Sequence, residues 1–281
     1  MINIMLCGNY KVFDGMLIGL LSICKHTKED LNVYLITMDL SEQDEKFRPI
    51  TEEHRKLIER KLKEKNPQNT VTRIDATQIY KDEMLKNINK NTHYTPYIFL
   101  RLLIDKMDIL PDKILYLDTD IVCYRDIKEL YDIDISDYEF GAARDFIGRK
   151  WINKDYLNSG VLLINLNKVR QTESFKACRK MCMKRRMAMP DQTALNKCCE
   201  KKLIIDDKFN EQYKRHNETV IRHFSMQLLY FPIIRLRNIK PWDIDRVHKE
   251  LKIYDYDDIY EEFIKAKNEL NTTDRIKVES H

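Results

Sequence analysis

No apolar run in these 281 residues is long enough to cross a bilayer; the longest, Met16 to Cys24, falls well short of the roughly 20 residues required. It also lacks the basic lead-in and small-residue cleavage site of a signal peptide. A cytoplasmic protein is expected, with at most peripheral membrane association. Glycine is scarce, at six residues, and no Gly/Ser linker, internal repeat or low-complexity segment divides the chain. With 43% hydrophobic residues, disordered and collagen-like chains are excluded. A large excess of one charge is missing too: 49 Lys plus Arg face 45 Asp plus Glu, a net +4. That balance does not describe a nucleic-acid binder, which concentrates its basic excess in a patch. It is compatible with a local pocket for a phosphorylated ligand. The seven cysteines are odd in number and irregularly spaced, so no disulfide framework is expected and reduced thiols in a cytosol are. Cys178, Cys182, Cys198 and Cys199 match no zinc knuckle and fall in helical patterns, so no metal is expected there.

What is present is an alternation of short apolar strands with helices. Ile2–Leu6, Val33–Met38, Val71–Ile74, Lys113–Leu117, Phe140–Ala143 and Val161–Asn165 read as strands. Asp14–His26, Pro96–Met107, Leu166–Arg186 and Asp191–Lys201 read as helices. A charged surface helix is predicted to run to about Lys65, N-capped by Ser41 with Asp44 and Glu45 in its first turn. This order implies an α/β fold: a Rossmann-like, mixed but mostly parallel sheet flanked by helices. Ligands of such sheets bind at the carboxyl ends of strands, near a switch point. Beyond Asp245 charges of both signs surround Tyr254, Tyr256, Tyr260 and Phe263, which predicts a C-terminal helical extension packed by its aromatic face. The expected partition is a catalytic domain over 1–243 and that extension over 244–281.

One motif carries chemistry by itself. In LYLDTDIV an apolar strand ends in Asp118 and Asp120, and side chains at i and i+2 of a strand share a face. Two such carboxylates repel unless a cation lies between them, and hard oxygen ligands suit Mg²⁺ or Mn²⁺. Two enzyme classes fit. A nucleotide-sugar transferase uses the pair to hold a divalent ion on the diphosphate. A phosphohydrolase of the haloacid dehalogenase type uses Asp118 as nucleophile and Asp120 as general acid, and Leu203–Asp207 supplies a further apolar run ending in two acids. The local motif does not separate them.

The ordered set of landmarks does. YLDTDIV, then Gly141–Asp145, then NSGVLLIN from Asn158, then Asp191–Gln192, His223–Phe224 and Lys240–Pro241–Trp242, closely resembles glycosyltransferase family 8 from the first strand to about Trp242. The resemblance implies a GT-A fold and a retaining transferase, of a kind that in bacteria often builds lipopolysaccharide or other surface glycans. It implies a UDP-sugar donor, a glucose or galactose to transfer, a glycan or glycolipid acceptor and no nucleic acid. Asp118, Asp120 and His223 resemble the ligands of Mn²⁺, with Mg²⁺ the second choice. Asp145, Asn158, Asp191 and Gln192 resemble donor-sugar contacts, with Arg101, Ser159 and Gly160 beside them. Cys7, Gly8, Asn9 and Tyr10 match a loop that cradles the nucleoside, together with Leu117, Thr119 and the phosphate-contacting Lys240. A module that binds nucleotide sugar without turnover is the non-enzyme alternative.

Two departures stand out. Cys7 and Gly8 replace the acids of the family's DDNY pattern, which removes a contact to uracil or ribose. Between His223 and Lys240, Met226 stands near a family glycine and about a dozen further residues, Gln227–Asn238, intervene. That insertion is a candidate acceptor-binding loop, and it puts the reach of Lys240 to the phosphate in question. Retention by double displacement needs a carboxylate nucleophile. The matching position is the neutral Gln192, with Asp191 and Asp145 next to it, so same-face attack is the preferred expectation.

Overall fold

The computed structural model describes residues 1–89, 95–229 and 235–279, with side chains as far as 270. In chain order its strands are β1 (Ile2–Cys7), β2 (Leu31–Thr37), β3 (Thr70–Asp75), β4 (Lys113–Leu117), β5 (Ile121–Cys123), β6 (Phe140–Ala142), β7 (Val161–Asn165), β8 (Lys202–Ile204), β9 (Ile221–His223), β10 (Gln227–Leu229) and β11 (Arg235–Arg237). The helices are α1 (Phe13–His26), α2 (Glu52–Lys65), α3 (Thr77–Met84), α4 (Lys128–Tyr131), α5 (Gly148–Trp151), α6 (Leu166–Thr172), α7 (Ser174–Lys184), α8 (Pro190–Cys198), α9 (Ile244–Arg246) and α10 (Asp257–Glu279).

Seven strands form the central sheet in the order β3-β2-β1-β4-β7-β6-β8. All neighbours are parallel except β7, which runs against both β4 and β6. This is the mixed, mostly parallel sheet expected from the sequence. Side chains alternate across it: Ile2, Ile4 and Leu6 of β1 join the core layer that holds α1, while Met5 and Cys7 join the opposite layer.

The order of strands positions the site. β2 and β3 lie on one side of β1 and β4 on the other, so the carboxyl ends of β1 and β4 flank a switch point. Because β7 is reversed, its first residue meets the end of β4, with Val161 opposite Leu117. Asn158, Ser159 and Gly160 therefore arrive where Asp118 departs. A small antiparallel ribbon sets Ile121 of β5 opposite His223 of β9 and returns that distant histidine to the acid pair.

Four helical expectations are corrected. The helix ending at Lys65 begins only at Glu52; Thr51 caps it by accepting from the His54 N–H, while Ser41 binds Asp39 in a turn. Residues 96–107 form 3₁₀ turns, not an α-helix. Pro96, Tyr97, Phe99, Leu100, Arg101 and Leu102 are all buried there, so the segment follows the space it fills instead of presenting one apolar stripe. The 166–186 helix breaks into α6 and α7 at Glu173, whose φ of 53° is left-handed. The last predicted helix starts at Pro190 and stops at Cys198. Strands β5 and β8–β11 have three residues each, too few for alternation to register.

The C-terminal helix shares the core of the sheet. Ile259, Tyr260, Phe263 and Ala266 of α10, with Tyr256 just before it, are buried in the same layer as α1. The Tyr260 hydroxyl donates to the Pro241 carbonyl at 2.7 Å, and Lys267 pairs with Asp14 of α1.

Candidate active site

Asp118 follows directly from β4, and its backbone N–H donates to the Gly160 carbonyl at 2.7 Å. Asp120 precedes β5 and is buried. His223 ends β9 with its Nε2 3.2 Å from Asp120 Oδ1 and 3.7 Å from Asp118 Oδ2. One ligand atom from each of the three lies within 4.8 Å of the others, and among the described residues this is the single group of three or more acidic, histidine or cysteine side chains so placed. Two carboxylate oxygens and an imidazole nitrogen are a donor set that suits a divalent ion such as Mn²⁺.

Gly160 makes the convergence possible. A Cβ there would run into the His223 ring and come within 2.9 Å of Asp118 Oδ2. Gly15 of α1 plays the same part on the other side, where a Cβ would strike the Thr119 carbonyl and the Trp242 ring. The D-x-D loop, the first helix and the Lys-Pro-Trp segment thus close on one another.

Charge is balanced within the group. Lys240 Nζ reaches Asp120 Oδ2 and donates to the Phe224 carbonyl at 3.1 Å. The insertion before it therefore does not carry Lys240 away from the acid pair. Burial disfavours an ionised Asp120, but Lys240 and His223 outweigh burial and hold its pKa well below the usual carboxylate range. Burial likewise disfavours a charged His223, yet Asp120 and Asp118 prevail and raise its pKa.

Arg101, expected to touch the donor sugar, is buried beneath the acids. Its Nη2 donates to Asp118 Oδ1 at 2.8 Å and its Nη1 to the Ser159 carbonyl at 2.6 Å. Its Nε lies 3.4 Å from Asp191 Oδ2, and its guanidinium covers the Tyr116 ring at 4.3 Å. Tyr116 also donates its hydroxyl to Asp118. Arg101 is thus held in place by partners on several sides and orients the acids around it.

The residues matched to the sugar form one hydrogen-bonded set. Asn158 Nδ2 donates to Asp145 Oδ2 at 2.8 Å, and Gln192 Nε2 donates to the same oxygen at 3.2 Å. Gln192 Oε1 accepts from the Ser159 N–H at 3.1 Å. The Ser159 hydroxyl lies 3.4 Å from Asp191 Oδ2. Burial, followed by the charge on Asp118, raises the Asp191 pKa although Arg101 opposes it. The backbone N–H groups of Ile147 and Gly148 also donate to Asp145.

Asn210 belongs to this set, and sequence reasoning missed it. The Gly160 N–H donates to Asn158 Oδ1 at 2.8 Å, which fixes that amide's orientation because a backbone N–H can only donate. Asn210 Nδ2 donates to the same oxygen at 2.9 Å, leaving Asn210 Oδ1 facing His223 Nδ1 at 3.0 Å. His223 must donate from Nδ1, so in the neutral imidazole Nε2 is the nitrogen left to ligate, and it faces the acids. The signal lay in Lys208-Phe209-Asn210, an asparagine with no motif around it.

Among the nucleoside-matched residues, Cys7 is buried at the end of β1, and burial pushes its thiol up to about 12. Gly8 donates its N–H to the Ile36 carbonyl at 3.0 Å. Asn9 is buried and spends its amide on the Lys46 carbonyl, so it holds a loop. Tyr10 is exposed, and Leu117 is buried in β4. The second acid pair stays apart: Asp206 caps the turn at Lys208 and Asp207 pairs with Arg149, so neither supports the phosphohydrolase alternative. Residues 230–234 of the insertion lie outside the described residues.

A family model described as "Glycosyl transferase family 8" matches residues 3–244. The chain belongs to glycosyl transferase family 8. GlyA of Streptococcus pneumoniae is 32% identical over 164 residues, 58% of this chain and 20% of GlyA. A putative glycosyltransferase of Haemophilus influenzae is 24% identical over 250 residues, 83% of this chain and 69% of that protein. The lipopolysaccharide 1,3-galactosyltransferase of Salmonella typhimurium is 27% identical over 181 residues, 57% of this chain and 53% of its own length. The chain thus spans only part of most of these relatives. In fold it is similar to the galactosyltransferase LgtC solved with donor and acceptor sugar analogues, at a TM-score of 0.64 and 19% identity, over 94% of this chain and 96% of that one. With this family and this sheet, the fold is GT-A, as expected.

Proposed function

We propose that this family 8 chain moves a glucose or galactose from a UDP-sugar to a hydroxyl of a glycan or glycolipid, with retention, in the synthesis of a bacterial surface glycan or lipopolysaccharide. The observation that carries the reading is the convergence of Asp118, Asp120 and His223 within 4.8 Å at the sheet's switch point. Relatives named for lipopolysaccharide galactosyl and glucosyl transfer support the sugar class. We place its action in the cytoplasm, with the 1–243 unit as transferase and 244–281 as an extension packed on it. The seven unbridged cysteines suit a reducing compartment, and no helix among the described residues is long and apolar enough to cross a membrane.

Asp118, Asp120 and His223 would hold Mn²⁺, with Mg²⁺ as the second choice. When bound, that ion supplies Lewis-acid neutralisation of a diphosphate's charge. Lys240 adds a fixed positive charge beside Asp120. The exposed ring of Tyr10 offers a stacking surface for a base. Asp145, Asn158, Asp191 and Gln192 offer acceptors and amide donors for sugar hydroxyls. Both nearby carboxylates are already engaged, Asp145 by four donors and Asp191 by Arg101 and Ser159, and Gln192 is neutral. This favours attack from the side of the departing group over a covalent intermediate.

UDP release from UDP-glucose and UDP-galactose, with Mn²⁺, Mg²⁺ or EDTA, tests the reading. Turnover of one donor that needs the metal is expected. Metal-independent binding of UDP without release from any donor would mark a binding module instead.

A further inference from the structure

Strand β9 presents His223 to the acid pair and, by alternation, turns its neighbour Arg222 to the other side. Arg222 is 4% exposed, and its Nε has no hydrogen-bond partner. Its Nη2 donates only to the Tyr213 carbonyl, at 3.2 Å. Arg237 of β11 turns towards the same recess and donates from Nε at 3.1 Å and Nη2 at 2.5 Å to the neutral Gln227 Oε1. Neither guanidinium makes an ion pair among the described residues. Glu211 bears on Arg222 electrostatically, but its Oε1 accepts from the Tyr213 N–H. Phe224, Ser225, Ile239 and Leu251 complete the walls of a small recess that opens to solvent.

A buried guanidinium with only neutral partners is costly, and a second one beside it raises the cost unless an anion lies between them. The unpartnered Nε–H of Arg222 and the positive charge of Arg237 suit the oxygens of a tetrahedral anion, and the Ser225 hydroxyl offers a neutral donor. We propose that this recess binds a phosphate group between Arg222 and Arg237. It stands back to back with the metal cluster: Arg222 precedes His223, Ile239 precedes Lys240, and Lys240 donates to the Phe224 carbonyl. Gln227 and Arg237, which line it, belong to the insertion expected to meet the acceptor. The phosphate is either free or carried by the acceptor, and the second source alone rests on the transferase reading.

Inorganic phosphate titrated by calorimetry into the full chain without divalent ions tests the recess. Wild type and Lys240→Met are expected to bind alike, with Kd on the order of 1 mM. Arg237→Gln and Arg222→Lys are expected to bind at least fivefold more weakly, with unchanged circular dichroism. Arg237 is half-exposed, so its variant keeps the test valid if Arg222→Lys does not fold. Undiminished binding by Arg237→Gln, binding lost in Lys240→Met, or no binding by wild type overturns the proposal. A second arm compares glucose with glucose 6-phosphate as acceptors in UDP release. A KM at least fivefold lower for the phosphorylated sugar, erased by Arg237→Gln, assigns the phosphate to the acceptor; equal KM values alongside phosphate binding assign it to the free ion. A chain that turns over no UDP-sugar yet binds phosphate through Arg237 refutes the transferase reading and leaves the recess standing.

Discussion

The imidazole of His223 has two nitrogens, and only Nε2 faces the acid pair. The Gly160 N–H, Asn158 and Asn210 form the chain that places the proton on Nδ1. Asn210→Ala is expected to weaken Mn²⁺ binding by roughly 10- to 100-fold, as loss of a ligand's outer hydrogen-bond partner generally does. Isothermal calorimetry checks this, and unchanged affinity would refute the tautomer argument. Gly160→Ala forces the His223 ring aside, so loss of metal binding is expected together with about 1–3 kcal/mol of stability, read from urea unfolding. The acid pair was legible in the sequence because an apolar strand runs straight into it. His223 was legible only through the resemblance, since nothing local separates a ligand histidine from any other. The burial of Arg101 and its bond to Asp118 were not legible, because a 3₁₀ path buries what an amphipathic helix would expose. Asn210 was not legible at all: its role exists only once the turn before it packs beside β9.

Elements with a long apolar run were readable, and those set by a turn or a cap were not. The break at Glu173 is one such case, because the pattern of 166–186 stays helical through it while the backbone at Glu173 is left-handed. Left-handed geometry costs a side-chain-bearing residue roughly 1–2 kcal/mol and glycine very little. Glu173→Gly is therefore expected to leave stability unchanged or raise it slightly, where the same change mid-helix lowers it. A fall of more than about 1 kcal/mol in urea unfolding, the cost of glycine inside a helix, would contradict this. The C-terminal helix was readable by its aromatic spacing. It is fastened by apolar packing and by surface pairs, Lys25 with Asp258 and both Arg60 and Lys61 with Glu269. Those pairs hold the Asp258 and Glu269 carboxyls below their usual values. Their contribution is present above the ordinary carboxylate range, about pH 4, and is lost as pH falls through the depressed folded values. The urea midpoint is expected to fall less below that pH in Asp258→Asn/Glu269→Gln than in wild type. Identical acid profiles would remove these pairs from the docking of α10.

For the whole molecule, a parallel half-sheet and one reversed strand bring three distant segments to a single edge. β4 delivers the acids, the entry to β7 delivers Asn158–Gly160, and the β5–β9 ribbon delivers the imidazole. The alternation of strands and helices made the fold class legible. The three-residue strands that complete the site were not, because pairing partners decide them and local pattern does not. We propose that Asp118, Asp120 and His223 together hold the divalent ion on which sugar transfer depends. UDP release by Asp120→Asn across a Mn²⁺ titration, with circular dichroism to confirm the fold, addresses it directly. Turnover is expected to fall at least a hundredfold, with no Mn²⁺ concentration restoring it; full turnover by the folded variant at the wild-type Mn²⁺ requirement would mean that Asp120 holds no catalytic ion.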